Sequence, residues 1–261
     1  MVSIIIPCYN SATTIQRVLA SIVNQTYTDF EIIIVDDGST DNTKDVIAVF
    51  FEDLNLEYTY IYQENRGPSV ARNRGVENAS GEYIAFLDSD DTWHKDKLSI
   101  QMKLIEENGL NFLGSTYKYN EFNYNDKVDI VLKKFTFKQL LLKTRFSTPG
   151  VIIKKDFFLS LNGFDTNMKY SEDNDLWLRA ALKEDLNLVV EPRLFRLYKA
   201  VYGSAGLSSH MYKMYKGELY LLKKIKYQKN INILEYIFLN IFVTIKFLRR
   251  LLINIKKRRL K

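Results

Sequence analysis

Short apolar runs and amphipathic stretches alternate along the first ninety residues. Val2–Pro7 is a continuous apolar run of strand length, and Glu31–Val35, Tyr58–Tyr62 and Tyr83–Leu87 repeat it. Between them, Thr13–Asn24 places Ile15, Val18, Leu19 and Ile22 at helical spacing. A second helix follows the Asp36-Asp37-Gly38-Ser39 turn, is capped by Asp41 and runs to about residue 53. A third covers Ser69–Ala79, with Pro68 suited to its first position. The order βαβαβαβ predicts a mostly parallel, Rossmann-like α/β sheet with helices on both faces. Ligands of such sheets sit at the carboxyl ends of the strands. Those ends carry Pro7–Asn10, Asp36–Ser39, Asn65–Gly67 and Asp88–Asp91, which should converge on one crevice.

The pattern is less regular afterwards. Helices are expected over Asp96–Asn108, Phe135–Lys143, Lys155–Leu161 and Asp173–Leu182, and strands over Phe112–Tyr119, Val151–Ile153 and Leu188–Val190. The catalytic body is placed at 1–209, with a nucleotide-binding half over 1–91 and an acceptor half over 92–209. Residues 210–261 read as a basic, amphipathic helical extension.

With 46% hydrophobic and 26% charged residues, the 261-residue chain is globular rather than disordered. A single cysteine, Cys8, excludes an internal disulfide and reads as a small buried hydrophobe. Val2–Ile6 follows no basic region and runs into Pro7, so it reads as a strand rather than a leader. The net charge of +6 conceals an asymmetry. Residues 211–261 hold 14 Lys and Arg against Glu218 and Glu235, a net +12, which leaves −6 for the first 210 residues. The uncharged stretch from Tyr236 to Ile245 is too short to cross a bilayer, where about 20 apolar residues are needed. Broad apolar content with flanking cations instead predicts a helix lying on the inner face of a membrane. The competing reading is a helix packed on the body with a solvated basic end. Nucleic acid fits poorly, because no recognition motif accompanies the charge.

The candidate chemistry centres on Asp88-Ser89-Asp90-Asp91 after the fourth strand. Alternate residues of an extended chain face the same way, so Asp88 and Asp90 can address one divalent cation. Taken singly, these residues have bland readings. Asp37 and Asp41 suit turns and caps, Glu172 and Asp173 suit a helix N-terminus, and Arg72 and Arg74 suit a solvated helix face. Trp177 shares a stripe with Leu176 and Ala180 and reads as core. His94 and His210 lack metal-ligand spacing.

Five segments occur in a single order: Ile5-Ile6-Pro7-Cys8-Tyr9-Asn10, Asp36-Asp37-Gly38-Ser39-Thr40-Asp41, the run Asn65–Gly75, the run Gly81–Asp91, and Glu172–Arg179. Together they resemble the family-2 inverting glycosyltransferases with the GT-A fold, of the bacterial cell-surface polysaccharide type, over residues 1 to about 209. The resemblance implies transfer of a hexosyl group from a nucleoside-diphosphate sugar, a UDP-sugar in the first instance, to a hydroxyl of a lipid-linked or surface glycan. It implies Asp90 and Asp88 as ligands of Mn2+ or Mg2+ on the donor diphosphate. Pro7, Tyr9, Asp37, Arg72, Asp88 and Ser89 would bind the donor nucleotide, Asp173 would be the general base, and Glu172 its helper. Asp173 opens a helix, whose dipole should hold its pKa low. Relatives carry a His after the last catalytic strand; here Tyr202 stands near that position, which leaves the diphosphate contact to Lys199 or Tyr202. Two other classes are a nucleotidyltransferase, against which the lack of a Gly-rich basic loop after the first strand argues, and a non-catalytic nucleotide-sugar-binding module.

Overall fold

A computed structural model of the chain describes residues 1–52, 54, 56–119, 129–191, 193–198 and 210–259. An eight-stranded sheet forms its centre, in the order β3-β2-β1-β4-β9-β6-β10-β8. These strands are β1 (Val2–Cys8), β2 (Phe30–Asp36), β3 (Thr59–Tyr62), β4 (Tyr83–Phe86), β6 (Phe112–Ser115), β8 (Val131–Phe135), β9 (Ile152–Lys154) and β10 (Leu186–Glu191). A small second sheet joins β5 (Thr92–Trp93), β11 (Phe195–Arg196) and β7 (Tyr117–Lys118).

β1 is buried along all seven residues, which suits its central place between β2 and β4, parallel to both. The strands β1 to β4 obey the period of two. Ile5, Ile33, Ile84 and Phe86 enter one hydrophobic cluster, whereas Ile4, Ile6, Ala85 and Leu87 enter the other. The second cluster is covered by α1 (Ile15–Val23), α2 (Thr43–Glu52) and α4 (Lys97–Asn108). The first is covered by α3 (Pro68–Glu77), α6 (Lys155–Ser160) and α7 (Glu172–Ala181), with α5 (Phe137–Leu142) at its edge. Helix α3 presses closely on β1: a Cβ at Gly75 would stand 2.3 Å from Ile5 Cγ2.

Chain order runs outward from β1 through β2 to β3, then returns to lay β4 on the other side of β1. The β1/β4 boundary is therefore a topological switch point, where the loops diverge and leave a crevice.

Two expectations are corrected. Phe112–Tyr119 is not one strand: it breaks at Thr116 into β6 of the main sheet and β7 of the small one. The helix expected from Phe135 begins at Phe137, behind a capping box of Thr136 and Gln139. The residues before it form β8, an exposed edge strand antiparallel to β10. The sheet's far half is mixed, since β9 runs antiparallel to both β4 and β6.

Helices α8 (Met211–Tyr227) and α9 (Ile233–Arg259) pack back on the first cluster through Leu221, Leu222, Ile225, Leu239 and Val243. Lys224 of α8 meets Asp165 and Asp175 at 2.7 Å each. One side of the extension thus covers the body. No helix among the described residues is long and apolar enough to cross a membrane.

Candidate active site

At the switch point the strand ends line a cleft of about 910 Å3, a volume suited to a small organic ligand. Pro7, Tyr9, Asp37, Arg72, Asp88, Ser89, Asp90, Glu172 and Asp173 all border it. Residues 199–209 lie outside the described residues, and Lys199 and Tyr202 with them.

The β2 turn supplies the first wall. Asp36 is committed to structure: Ser39 N donates to its Oδ1 at 2.8 Å and Tyr60 Oη to its Oδ2 at 2.6 Å. Asp37 accepts from Gln63 Nε2 (2.7 Å), Arg66 N (2.8 Å) and Gly67 N (2.7 Å). An ionised carboxylate has about four lone-pair sites, so Asp37 retains capacity for one more donor. Asp41, expected as the cap, lies one residue before the N-cap position Asn42 and accepts from Thr43 N at 3.1 Å. Tyr9 is half exposed beside this wall, while Cys8 is buried, its thiol pushed well above the ordinary range by burial and then by Asp36.

The β4 end is clamped from α1 and its approach. Ser11 Oγ and Ser89 Oγ share a hydrogen bond of 2.7 Å, Thr14 Oγ1 donates to Ser89 O at 2.6 Å, and Arg17 Nη2 donates to Asp90 O at 2.8 Å. Ser11, Thr14 and Arg17 were invisible as site residues in the sequence, since hydroxyl and Arg positions near a helix start are ordinary. Asp91 is buried and accepts from Tyr198 N at 3.4 Å.

The parity that sends Ile84 and Phe86 toward α3 sends Asp88 the same way. Its Oδ1 meets Arg72 Nη2 at 2.7 Å, and Arg72 Nη1 reaches Glu172 Oε1 at 3.5 Å. Arg72 is therefore no solvated helix residue: it is buried and ties the β4 end to α7. Burial opposes its charge, but Asp88 and Glu172 outweigh burial and hold its pKa above the usual value.

Helix α7 sets the opposite wall. Leu176, Trp177 and Ala180 anchor it in the core, with the Trp177 ring 5.2 Å from Phe112. Ser171, just before it, adopts a left-handed conformation at φ 62°, which costs a non-glycine residue roughly 1–2 kcal/mol. The next two residues are half-buried carboxylates at the cleft wall. Burial first, then Asp173, pushes Glu172 up to about 7 against the pull of Arg72. Burial also raises Asp173, against the Asn174 N–H, which donates to its Oδ1 at 2.7 Å, and against Arg72. The helix dipole was expected to hold Asp173 low; desolvation prevails, because a dipole effect is worth about 1 kcal/mol and full burial of a carboxylate more.

Tyr117, Leu197 and, from α8, Met214 are among the lining residues that sequence reasoning did not single out. No short motif marks them.

Asp88 and Asp90 offer a hard divalent cation oxygen ligands only. Among the described residues no group of three His, Cys, Asp or Glu is arranged to hold a metal by itself. That donor set fits Mg2+ or Mn2+ shared with phosphate oxygens, for which one or two carboxylates suffice.

The sequence pattern of Glycosyl transferase family 2 matches residues 3–158. The chain belongs to this family. An uncharacterized glycosyltransferase of Rickettsia felis is 38% identical over 190 residues, 71% of this chain and 31% of that protein. The chain thus spans about a third of that longer relative's length. The UDP-Glc:alpha-D-GlcNAc-diphosphoundecaprenol beta-1,3-glucosyltransferase WfgD of Escherichia coli is 31% identical over 83% of each chain. Among solved structures, S. aureus TarS 1–349 in complex with UDP-GlcNAc has a TM-score of 0.69 at 22% identity, covering 86% of this chain and 66% of that one. The mannosyltransferase PcManGT of Pyrobaculum calidifontis, in complex with GDP-Man and Mn2+, has a TM-score of 0.65 at 21% identity, covering 85% of this chain and 63% of that one. These likenesses establish the GT-A type of fold.

Proposed function

We propose that the protein is an inverting glycosyltransferase. It moves a hexosyl group from a UDP-sugar to a hydroxyl of a lipid-linked or surface glycan, at the inner face of the cell membrane. The observation that carries this reading is the half-buried Glu172–Asp173 pair on the cleft wall, with Glu172 joined through Arg72 to Asp88 at the switch point.

The donor's base lies against Pro7 and Tyr9, and the remaining lone pair of Asp37 accepts an N–H from it. Asp90, with Asp88 and Ser89 beside it, faces the diphosphate. A divalent cation held by Asp90 and Asp88 would neutralise charge on the leaving diphosphate. Arg72 holds Asp88 in place and keeps a positive charge between two carboxylate groups. Asp173 removes the proton from the acceptor hydroxyl as its oxygen attacks the anomeric carbon opposite the diphosphate. The sugar–diphosphate bond breaks, UDP leaves with the bonding pair, and the configuration inverts. A carboxylate raised by burial is a stronger base than an ordinary solvated one, and Glu172 stands beside it as its helper. The lipid diphosphate in the name of the Escherichia coli relative's substrate supports the acceptor class, as the UDP-GlcNAc complex of TarS supports the donor.

The test is a panel of nucleotide sugars with Mn2+, with Mg2+ or with chelator, following nucleotide and phosphate release. Cation-dependent UDP release is the expected result. Pyrophosphate release would indicate a nucleotidyltransferase, and tight donor binding without release a binding module.

A further inference from the structure

Helix α9 carries two apolar faces, and the body covers one. Leu239 and Val243 are buried against the first cluster. Thr244 Oγ1 and Tyr215 Oη lie 2.9 Å apart, and Arg250 Nη1 meets Glu218 Oε1 at 2.9 Å, so much of the polar sector also turns toward α8. The other face is Leu234, Phe238, Ile241, Ile245, Leu248 and Leu252, each more than half exposed. At 100° per residue these six fall within about 80° of arc, a continuous stripe about 27 Å long. Six large apolar side chains in one exposed row exceed what a free surface helix carries and mark a contact surface.

Charge selects the occupant. The tail holds a net +12 over 211–261, and its last helical turns carry Lys256, Lys257, Arg258 and Arg259. Arg249 is exposed on the stripe's rim. Two copies meeting through this face would bring two such tails together at the cost of like-charge repulsion. An anionic bilayer satisfies both the stripe and the cations. Since α9 cannot span, it would lie in the plane.

The pairing of α9 with α8 gives the contact a consequence. Met214 of α8 lines the cleft, and its neighbour Tyr215 stacks on Phe247 of α9 with ring centroids 4.4 Å apart. Ile245 and Leu248 of the stripe therefore flank the turn of α9 that packs beside the cleft-lining residue Met214. A Cβ at Gly217 would stand 2.7 Å from Tyr170 Cβ, so α8 also abuts the segment leading to Ser171, Glu172 and Asp173.

We propose that the outward stripe Leu234–Leu252 of α9 beds into the headgroup–acyl boundary of an anionic membrane and seats the acceptor wall of the cleft at its surface. The purpose of this seating rests on the lipid-linked acceptor proposed above. The binding does not, and is measured without turnover.

The experiment is flotation of the full chain with phosphatidylcholine vesicles, with and without phosphatidylglycerol. The wild type should float with the anionic vesicles, less so at high salt. Ile241→Asp with Leu248→Asp should lower partitioning about tenfold or more while leaving the melting temperature unchanged, because both side chains are exposed. As a second arm, Leu248→Trp should shift its emission to the blue when anionic vesicles are added. Failure of the wild type to float, equal flotation of the double variant, or an unmoved Trp emission would overturn the proposal. So would a wild-type dimer that the double substitution converts to monomer. Loss of UDP release in every assay, with flotation intact, would instead count against the glycosyltransferase reading alone.

Discussion

On the β1–β2 side of the cleft, carboxylates are held by satisfied hydrogen bonds: Asp36 by Ser39 and Tyr60, Asp37 by Gln63, Arg66 and Gly67. On the α7 side, Glu172 and Asp173 sit half-buried and are raised by desolvation, opposed by Arg72 at Glu172 and by the Asn174 N–H and then Arg72 at Asp173. The first arrangement is rigid and low in energy, as a fixed platform for a nucleotide requires. The second stores unfavourable burial where a proton must be taken up, which is the usual sign of a reacting group. On the function proposed above, nucleotide recognition and proton transfer would be built from the same residue types in opposite environments.

Substituting across this divide should separate the two roles. The largest effect is expected for Asp173→Asn: turnover falls about a thousandfold, as for loss of a general base, while donor affinity by calorimetry stays within about twofold. A parallel loss of affinity would erase the division between the walls. Asp90→Ala should lower turnover about a hundredfold and abolish stimulation by Mn2+ or Mg2+ in UDP-release assays. Arg72→Met removes the cation shared by the two sides and leaves Asp88 and Glu172 uncompensated. Breaking such a buried pair costs about 3 kcal/mol, read as a melting temperature lower by roughly 10 °C.

The smallest effect concerns pH. Glu172 holds its proton more tightly folded, near 7, than unfolded, near 4.5. The fold therefore gains stability at low pH that is lost as pH rises from about 4.5 through about 7. Denaturant unfolding of the ligand-free protein should show a decline on the order of 2 kcal/mol across that window, reduced in Glu172→Gln. A flat wild-type profile would mean that the pair is not desolvated as described.

The nucleotide half was legible because burial on both faces writes itself as unbroken runs such as Ile4-Ile5-Ile6 and Ile32-Ile33-Ile34. Edge elements leave no such trace. Leu132, Lys133 and Lys134 of β8 are exposed, and their pattern favours no period. The break at Thr116 depends on β11 recruiting Tyr117 into a second sheet, a contact with residues far along the chain. The candidate site was legible as an ordered set of motifs, and the structure brings nine of its residues to one cleft. Their energetics were not legible: only packing shows that Arg72 is buried between Asp88 and Glu172, and that burial overrides the helix dipole at Asp173. In α9 the periodicity was ambiguous because both faces are apolar, so the choice of covered face waited on Leu239 and Val243.

The central claim is single displacement by a hydroxyl activated at Asp173, and the anomeric configuration of the product tests it most directly. With an α-linked UDP-sugar as donor, proton NMR of the glycan product should show the large anomeric coupling of a β-gluco-type linkage. A product that keeps the α configuration would contradict the account, since it requires a second displacement for which the cleft has been assigned no nucleophile.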